Sequence, residues 1–216
     1  MTFVTFRLTD SMPKFVVERW LAELREWLEG NRVDLGPLDS ERRATAARDR
    51  RVDELPKHLR RAFVKFKNQR WHEHLDDCHG SCLLRRPEFG TIVADSLLKF
   101  NEDRYDIDRF VVMPNHVHLL VQMRVGWRLR EQCESWMRFT ARRINALRKI
   151  VGKVWSEPFD HIVRNEGQFE YLRRYIEENP ANAKLSDEDY LLWVHGSGFV
   201  LSHASPRRVT RDGDWG

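Results

Sequence analysis

Cysteine is scarce in this chain, with three residues in 216. An odd number cannot all pair, so Cys78, Cys82 and Cys133 exclude a disulfide framework and read as the reduced thiols of a cytosolic protein. No apolar run approaches the ~18 residues that a membrane span needs. The N-terminus also lacks the basic-then-apolar pattern of a secretory signal. No internal repeat is visible. What is present is 41% hydrophobic and 32% charged residues, the balance of a globular domain with a real core. The net charge of +4 suits a polyanion partner without establishing one.

The most informative stretch is Val-Val-Met-Pro-Asn-His-Val-His-Leu-Leu at 111–120. Its flanks are apolar and β-branched, so it reads as a strand starting just after Pro114. Residues two apart on a strand share a face and lie ~6.6 Å apart along it. His116 and His118 therefore aim two imidazoles into one space, the beginning of a divalent metal site, while Val117 and Leu119 bury on the opposite face. The plainer alternative is two polar residues on the exposed side of a half-buried strand.

Downstream, Gly-Gln-Phe-Glu-Tyr-Leu-Arg-Arg-Tyr-Ile-Glu-Glu-Asn-Pro at 167–180 carries Phe169, Leu172, Tyr175 and Ile176 at helical spacing. Pro180 is expected to stop that helix. Tyr175 and Asn179, four residues apart, share a face. Opposite two strand histidines, Asn179 can offer an amide oxygen as a third ligand and Tyr175 a phenol beside the metal. Tyr171, one turn earlier, is a second candidate nucleophile and otherwise reads as a packing residue at the helix start.

Several segments together carry a family resemblance: Phe-Val-Thr-Phe-Arg-Leu at 3–8, Val-Met-Pro-Asn-His-Val-His-Leu-Leu at 112–120, Phe-Thr-Ala at 139–141, Phe-Asp-His-Ile-Val-Arg-Asn at 159–165 and Tyr-Ile-Glu-Glu-Asn-Pro at 175–180. In this order, from about Phe3 to Leu185, they resemble the REP-associated tyrosine transposases, a group of the HUH-type single-tyrosine transposases. The resemblance implies that His116 and His118 are the metal-binding histidines, Tyr175 the catalytic tyrosine and Asn179 the helix residue completing the metal site. It also implies a ferredoxin-like sheet with the histidines on a central strand. The chain departs from the family in a long basic segment at about 40–70 and in lacking a Trp-rich Ser-Ser motif after the Asn-Pro.

The chemistry is consistent with those residue types. A phenol titrates near pH 10, so at neutral pH it needs help to act as a nucleophile. Two neutral imidazoles and an amide leave a divalent ion its full charge for a phosphodiester. Mg²⁺ and Mn²⁺ both suit such a site, imidazole favouring Mn²⁺.

Along the chain, a strand is expected over Phe3–Thr9, with Phe3, Thr5 and Arg7 on one face and Val4, Phe6 and Leu8 on the other. Helices follow at about 13–30, 39–52 (solvated), 57–70, 87–101 and 129–150. Residues 71–83 read as loop or short strand. Tyr105–Met113 and the histidine strand form a hairpin turned at Pro114-Asn115, and a short strand lies near 161–164. This order gives an α+β plan, an antiparallel sheet with helices packed mainly on one face. Residues 1–195 read as one domain with a basic helical insertion at about 39–71, and 196–216 as a loop-like tail.

On the 129–150 helix, Trp136, Phe139, Ile144 and Leu147 are the expected buried stripe. Arg138, Arg142, Arg143, Arg148 and Lys149 on that helix, and Arg164 beyond it, are the candidate nucleic-acid contacts. The basic residues at 42–70 offer a second surface, diluted by interleaved acids. His72, His74, Cys78, His79 and Cys82 cluster without a zinc-ligand spacing and read as a polar loop.

The leading expectation is a metal-dependent endonuclease and strand transferase on single-stranded or hairpin DNA. It forms a 5′-phosphotyrosine at hairpin-forming repeats and works as a monomer or homodimer in the bacterial cytoplasm, on the nucleoid when bound to DNA. The alternatives are a non-catalytic DNA-binding protein of the same fold and a phosphodiesterase using water.

Overall fold

The computed structural model describes residues 1–33 and 52–200. The chain divides into two compact units, Met12–His79 and Met1–Ser11 with Gly80–Gly216.

In the larger unit, strand β1 (Thr2–Arg7) is followed by helix α3 (Pro87–Leu98), β2 (Tyr105–Val112), β3 (His116–Met123), α4 (Leu129–Arg148), β4 (Phe159–Ile162), α5 (Glu166–Asn182), β5 (Leu191–Val194) and β6 (Gly198–Val200). The sheet order is β4-β1-β3-β2-β5-β6 and every pairing is antiparallel. Its first four strands, β4-β1-β3-β2, with helices crossing between β1 and β2 and between β3 and β4, have the ferredoxin-like arrangement. The protein is thus α+β, with β3 central.

The alternation in β1 sorts the two faces. Val4, Phe6 and Leu8 join Phe110, Val112, Val117, Leu119 and Val121 in one core, together with Val93 and Leu97 of α3 and Cys133, Trp136 and Ile144 of α4. On the opposite face, Phe3, Val111, Met113 and Leu120 pack against Leu172 and Ile176 of α5 and Leu192 of β5. Helices therefore cover both faces, not mainly one. The expected stripe on α4 holds for Trp136 and Ile144, but Leu147 is exposed, and Gln132, Cys133 and Thr140 bury in its place. Thr140 can do so because its hydroxyl bonds back to the Trp136 carbonyl at 2.7 Å and accepts from Trp155 Nε1 at 2.8 Å.

A β-bulge between Ile107 and Arg109 matters for the α5 face. Residues two apart on a regular strand share a face, yet Ile107 lies in the first core and Arg109 is paired with Leu120 of the second. The extra residue turns Arg109 over towards α5. There its buried guanidinium meets Asp108 at 2.6 Å and Glu177 of α5.

Helix α5 is fixed at its start as well. The Asn165 side chain accepts from the Gln168 N–H at 2.9 Å, and Gln168 Oε1 accepts from the Arg164 N–H at 2.9 Å, a reciprocal N-terminal cap. Gln168 also bonds His161 of β4. Pro180 does not stop the helix, which runs on to Asn182. Its fixed φ is a helical value, and only one backbone bond near the end of the helix is lost.

The last two strands correct the loop-like reading of the residues just past 195. Trp193 stacks on Phe110 at 5.6 Å, and Gly196 and Gly198 take the positive φ of +78° and +74° that the reversal between β5 and β6 needs. Residues 201–216 lie outside the described residues.

In the smaller unit, α1 (Lys14–Gly30) and α2 (Lys57–Asp76) pack through Leu24, Leu28 and Phe63, with Trp27 against Phe63 and Phe66, and Trp20 against Trp71. Glu23 binds Arg70 and His74 between them. Helix α2 runs through 71–76, where a loop was expected, so His72 and His74 are helical and His74 is a buried partner of Glu23 at 2.8 Å. The expected 39–52 helix and Arg42, Arg43, Arg50 and Arg51 fall almost entirely outside the described residues. Among the described residues no helix is long and apolar enough to cross a membrane.

Candidate active site

The turn between β2 and β3 is held from three sides. Met113 N–H bonds the His116 carbonyl at 2.8 Å, Leu84 N–H the Pro114 carbonyl at 2.9 Å and Leu8 N–H the Asn115 carbonyl at 2.9 Å. With the turn fixed and Val117 and Leu119 in the core behind, the register of β3 is set, and a one-residue slip would bury the wrong side chains. His116 and His118 consequently face the α5 side together. Both are fully buried, so they are not the wet face of a half-buried strand, and their rings lie 4.5 Å apart between centroids.

Each imidazole is oriented through Nδ1. Asn115 Oδ1 lies 2.7 Å from His116 Nδ1. An amide oxygen can only accept, so His116 carries its proton on Nδ1 and its lone pair on Nε2. Thr5, paired directly with His118 across the β1–β3 ladder, brings Oγ1 within 2.7 Å of His118 Nδ1. With Thr5 accepting, His118 adopts the same tautomer, and both rings present Nε2. Phe3 stacks on the His118 ring at 5.2 Å and 25°.

Tyr175 comes to this pair from α5. Burial of Leu172 and Ile176 turns the helix so that the Tyr175 hydroxyl stands 3.3 Å from His118 Nε2, with the rings 5.3 Å apart. Asn179, one turn further on, is fully buried, and neither atom of its amide finds a hydrogen-bond partner among the described residues. A buried amide costs on the order of 1–3 kcal/mol when it makes no bond, so its retention fits a site that binds something. Two imidazoles with Nε2 lone pairs and an amide oxygen are a donor set that fits a divalent cation. Tyr171 is not the packing residue expected: it is 60% exposed, its ring stacked at 6.4 Å and 16° on Tyr175.

The basic residues of α4 stand elsewhere. Arg138, Arg142, Arg143 and Arg148 are exposed on a helix that packs against the far face of the sheet from Tyr175, and Lys149 is exposed just past its end. Arg164 is exposed just beyond β4, close in sequence to the cap of α5. Three residues with evident local roles carried only weak signals in the sequence. Asn115 looked like a turn residue, Thr5 was a polar position on a strand whose partner was unknown, and Arg109 was hidden by the bulge.

Residues 92–179 match the family model described as IS200-like transposase, a span from α3 to the buried Asn179. The similarity to IS200-like transposases is confined to these residues, less than half of the 216. The match contains both histidines and Tyr175. A solved structure described as a REP-associated tyrosine transposase bound to a REP hairpin is similar at 22% identity. That similarity covers 47% of this chain and 59% of that one, with a TM-score of 0.37. No curated protein matches the sequence.

Proposed function

We propose that this chain cuts and rejoins single-stranded DNA by transesterification, with Tyr175 as nucleophile and His116, His118 and Asn179 holding a divalent cation. The observation that carries the reading is the Tyr175 hydroxyl at 3.3 Å from His118 Nε2, on the imidazole pair of an IS200-like transposase segment. The phenol and the cation-facing nitrogens are then directed at the same phosphate.

When bound, the cation, Mg²⁺ or Mn²⁺, supplies positive charge to the non-bridging oxygens of the phosphodiester and to the departing 3′ oxygen. The chain's own residues do the rest. Asn115 and Thr5 fix the imidazole tautomers, and Phe3 braces the His118 ring. Leu172 and Ile176 hold α5 so that Oη meets the phosphorus side of the site. The Tyr175 oxygen bonds to phosphorus, the bond from phosphorus to the 3′ oxygen breaks, the phenol loses its proton and the 3′ oxygen gains one. The product is a 5′-phosphotyrosine with a free 3′-hydroxyl, and the reverse reaction with another 3′-hydroxyl joins strands. Hairpin-forming repeats are the target class that the motif resemblance suggests. The arginines of α4, with Lys149, would meet backbone phosphates of a longer DNA, and Arg164 those near the site.

The test is incubation of the full chain with single-stranded DNA flanking its own gene, with Mn²⁺ and with chelator. The reading expects a metal-dependent covalent protein–DNA band. Hydrolysed product without that band would mean a water nucleophile, and tight binding with no cleavage a non-catalytic binder.

A further inference from the structure

Two exposed aromatic rings lie on the same side of the Tyr175–His118 pair, and the site described above uses neither. Phe159, on the edge strand β4, is 45% exposed. It is paired with Thr5, which is paired with His118, so Phe159, Thr5 and His118 form one row across the sheet, on the face covered by α5. Two strand spacings put Phe159 about 10 Å from β3. Tyr171 is the other ring, 60% exposed and stacked on Tyr175.

The course of α5 shows that both rings are displaced in the same direction. The helix starts over β4, where Gln168 bonds His161, and reaches β2 by Glu177, which binds Arg109. Moving one turn back from Tyr175 to Tyr171 therefore moves towards β4. Moving along the row from His118 to Phe159 does the same. Beside the phenol and imidazole there is thus a floor ring from the sheet and a wall ring from the helix.

Phe159 is 45% exposed while Thr5 and His118 of the same row are buried, so the row ends in an apolar ring accessible to a planar ligand. We infer that Phe159 and Tyr171 form a stacking subsite for an unpaired nucleobase next to the phosphodiester held at Tyr175. This rests on the proposed function, because it takes the ligand to be DNA. A single strand is the form that fits, since only an unpaired, splayed base offers its face to a side chain. Every base has such a face, so the subsite holds the strand in place without reading its sequence. Arg164, exposed just past β4, supplies positive charge for the neighbouring backbone.

The experiment measures equilibrium binding of the full chain to a fluorescent oligothymidylate of about 20 nucleotides, longer than a single-domain site, and to an abasic strand with the same number of phosphates. Wild type should prefer the oligothymidylate. The Phe159→Ala/Tyr171→Ala double variant should lose about tenfold on that strand, within the range for removing a base–aromatic stack, and be unchanged on the abasic one. Phe159→Tyr and Tyr171→Phe should keep the preference. An oligothymidylate affinity within about twofold of wild type in the double variant, too little for a stack, would overturn the subsite, as would an equal loss on both strands. Failure of wild type to bind either strand would instead overturn the DNA reading as a whole. A retained stacking preference in a protein that makes no covalent adduct would leave the subsite standing and remove only the transferase chemistry.

Discussion

Thr5 Oγ1 lies 2.7 Å from His118 Nδ1 across the β1–β3 ladder, and this pair decides which nitrogen His118 presents to the site. Partners of this kind orient metal-binding histidines, and their removal commonly costs about 10–100-fold in metal affinity. Thr5→Val keeps the shape and removes the hydroxyl. It should weaken Mn²⁺ binding about tenfold by calorimetry, and lower the stability of the metal-free protein by about 1–3 kcal/mol, because the buried His118 Nδ1–H loses its acceptor. Thr5→Ser should restore binding.

Arg109 is buried between Asp108 and Glu177 and ties β2 to the helix that carries Tyr175. Removing one partner of a buried charge group leaves the others uncompensated. Because Glu177 keeps much of its exposure, the cost should fall near or below the low end of the usual range, about 2–3 kcal/mol. Urea unfolding of Arg109→Ala should show that decrease. Glu177→Gln, which keeps a hydrogen-bonding group, should be milder.

Arg142 and Arg143 are exposed on α4, behind the sheet from Tyr175. Reversing both charges should weaken binding of a long single strand and reduce its salt dependence by about 0.7 in log–log slope for each phosphate no longer neutralised. Cleavage of a short oligonucleotide that spans only the site should keep its rate. An unchanged slope would remove this helix from the DNA-binding surface.

Burial pushes the Cys133 thiol up to about 12. At pH 8 only about one thiol in ten thousand is then ionised, so iodoacetamide should spare Cys133 in the folded protein and label it after unfolding. The sign for stability follows. The unfolded chain loses this proton near its ordinary value and the folded one does not, so the contribution is intact below about pH 8.5 and declines as pH rises beyond it.

The fold was legible where a period and a stop signal agreed. The alternation of Phe3 to Leu8 assigned both sheet faces, and the His116–His118 spacing placed both rings on one of them. Features that depend on tertiary partners were not legible. The bulge at Asp108 has no signature in an alternating strand, and Pro180 looks like a stop although its φ suits the last turn. The 71–76 helix was hidden by its histidines, of which His74 is paired with Glu23 of α1. Thr5 and Asn115 could be named only once the β1–β3 register and the hairpin turn were known, since sequence gives the face of a residue but not its neighbour across the ladder. The β5–β6 hairpin did carry a signal, Trp-Val-His-Gly-Ser-Gly-Phe-Val, with its glycines between two apolar strands.

The most direct measurement is peptide mapping by mass spectrometry of the protein trapped on a suicide oligonucleotide whose cleaved fragment diffuses away. A nucleotide adduct is expected on Tyr175, abolished in Tyr175→Phe and retained in Tyr171→Phe. An adduct that survives Tyr175→Phe, or one mapped to Tyr171, would contradict Tyr175 as the nucleophile.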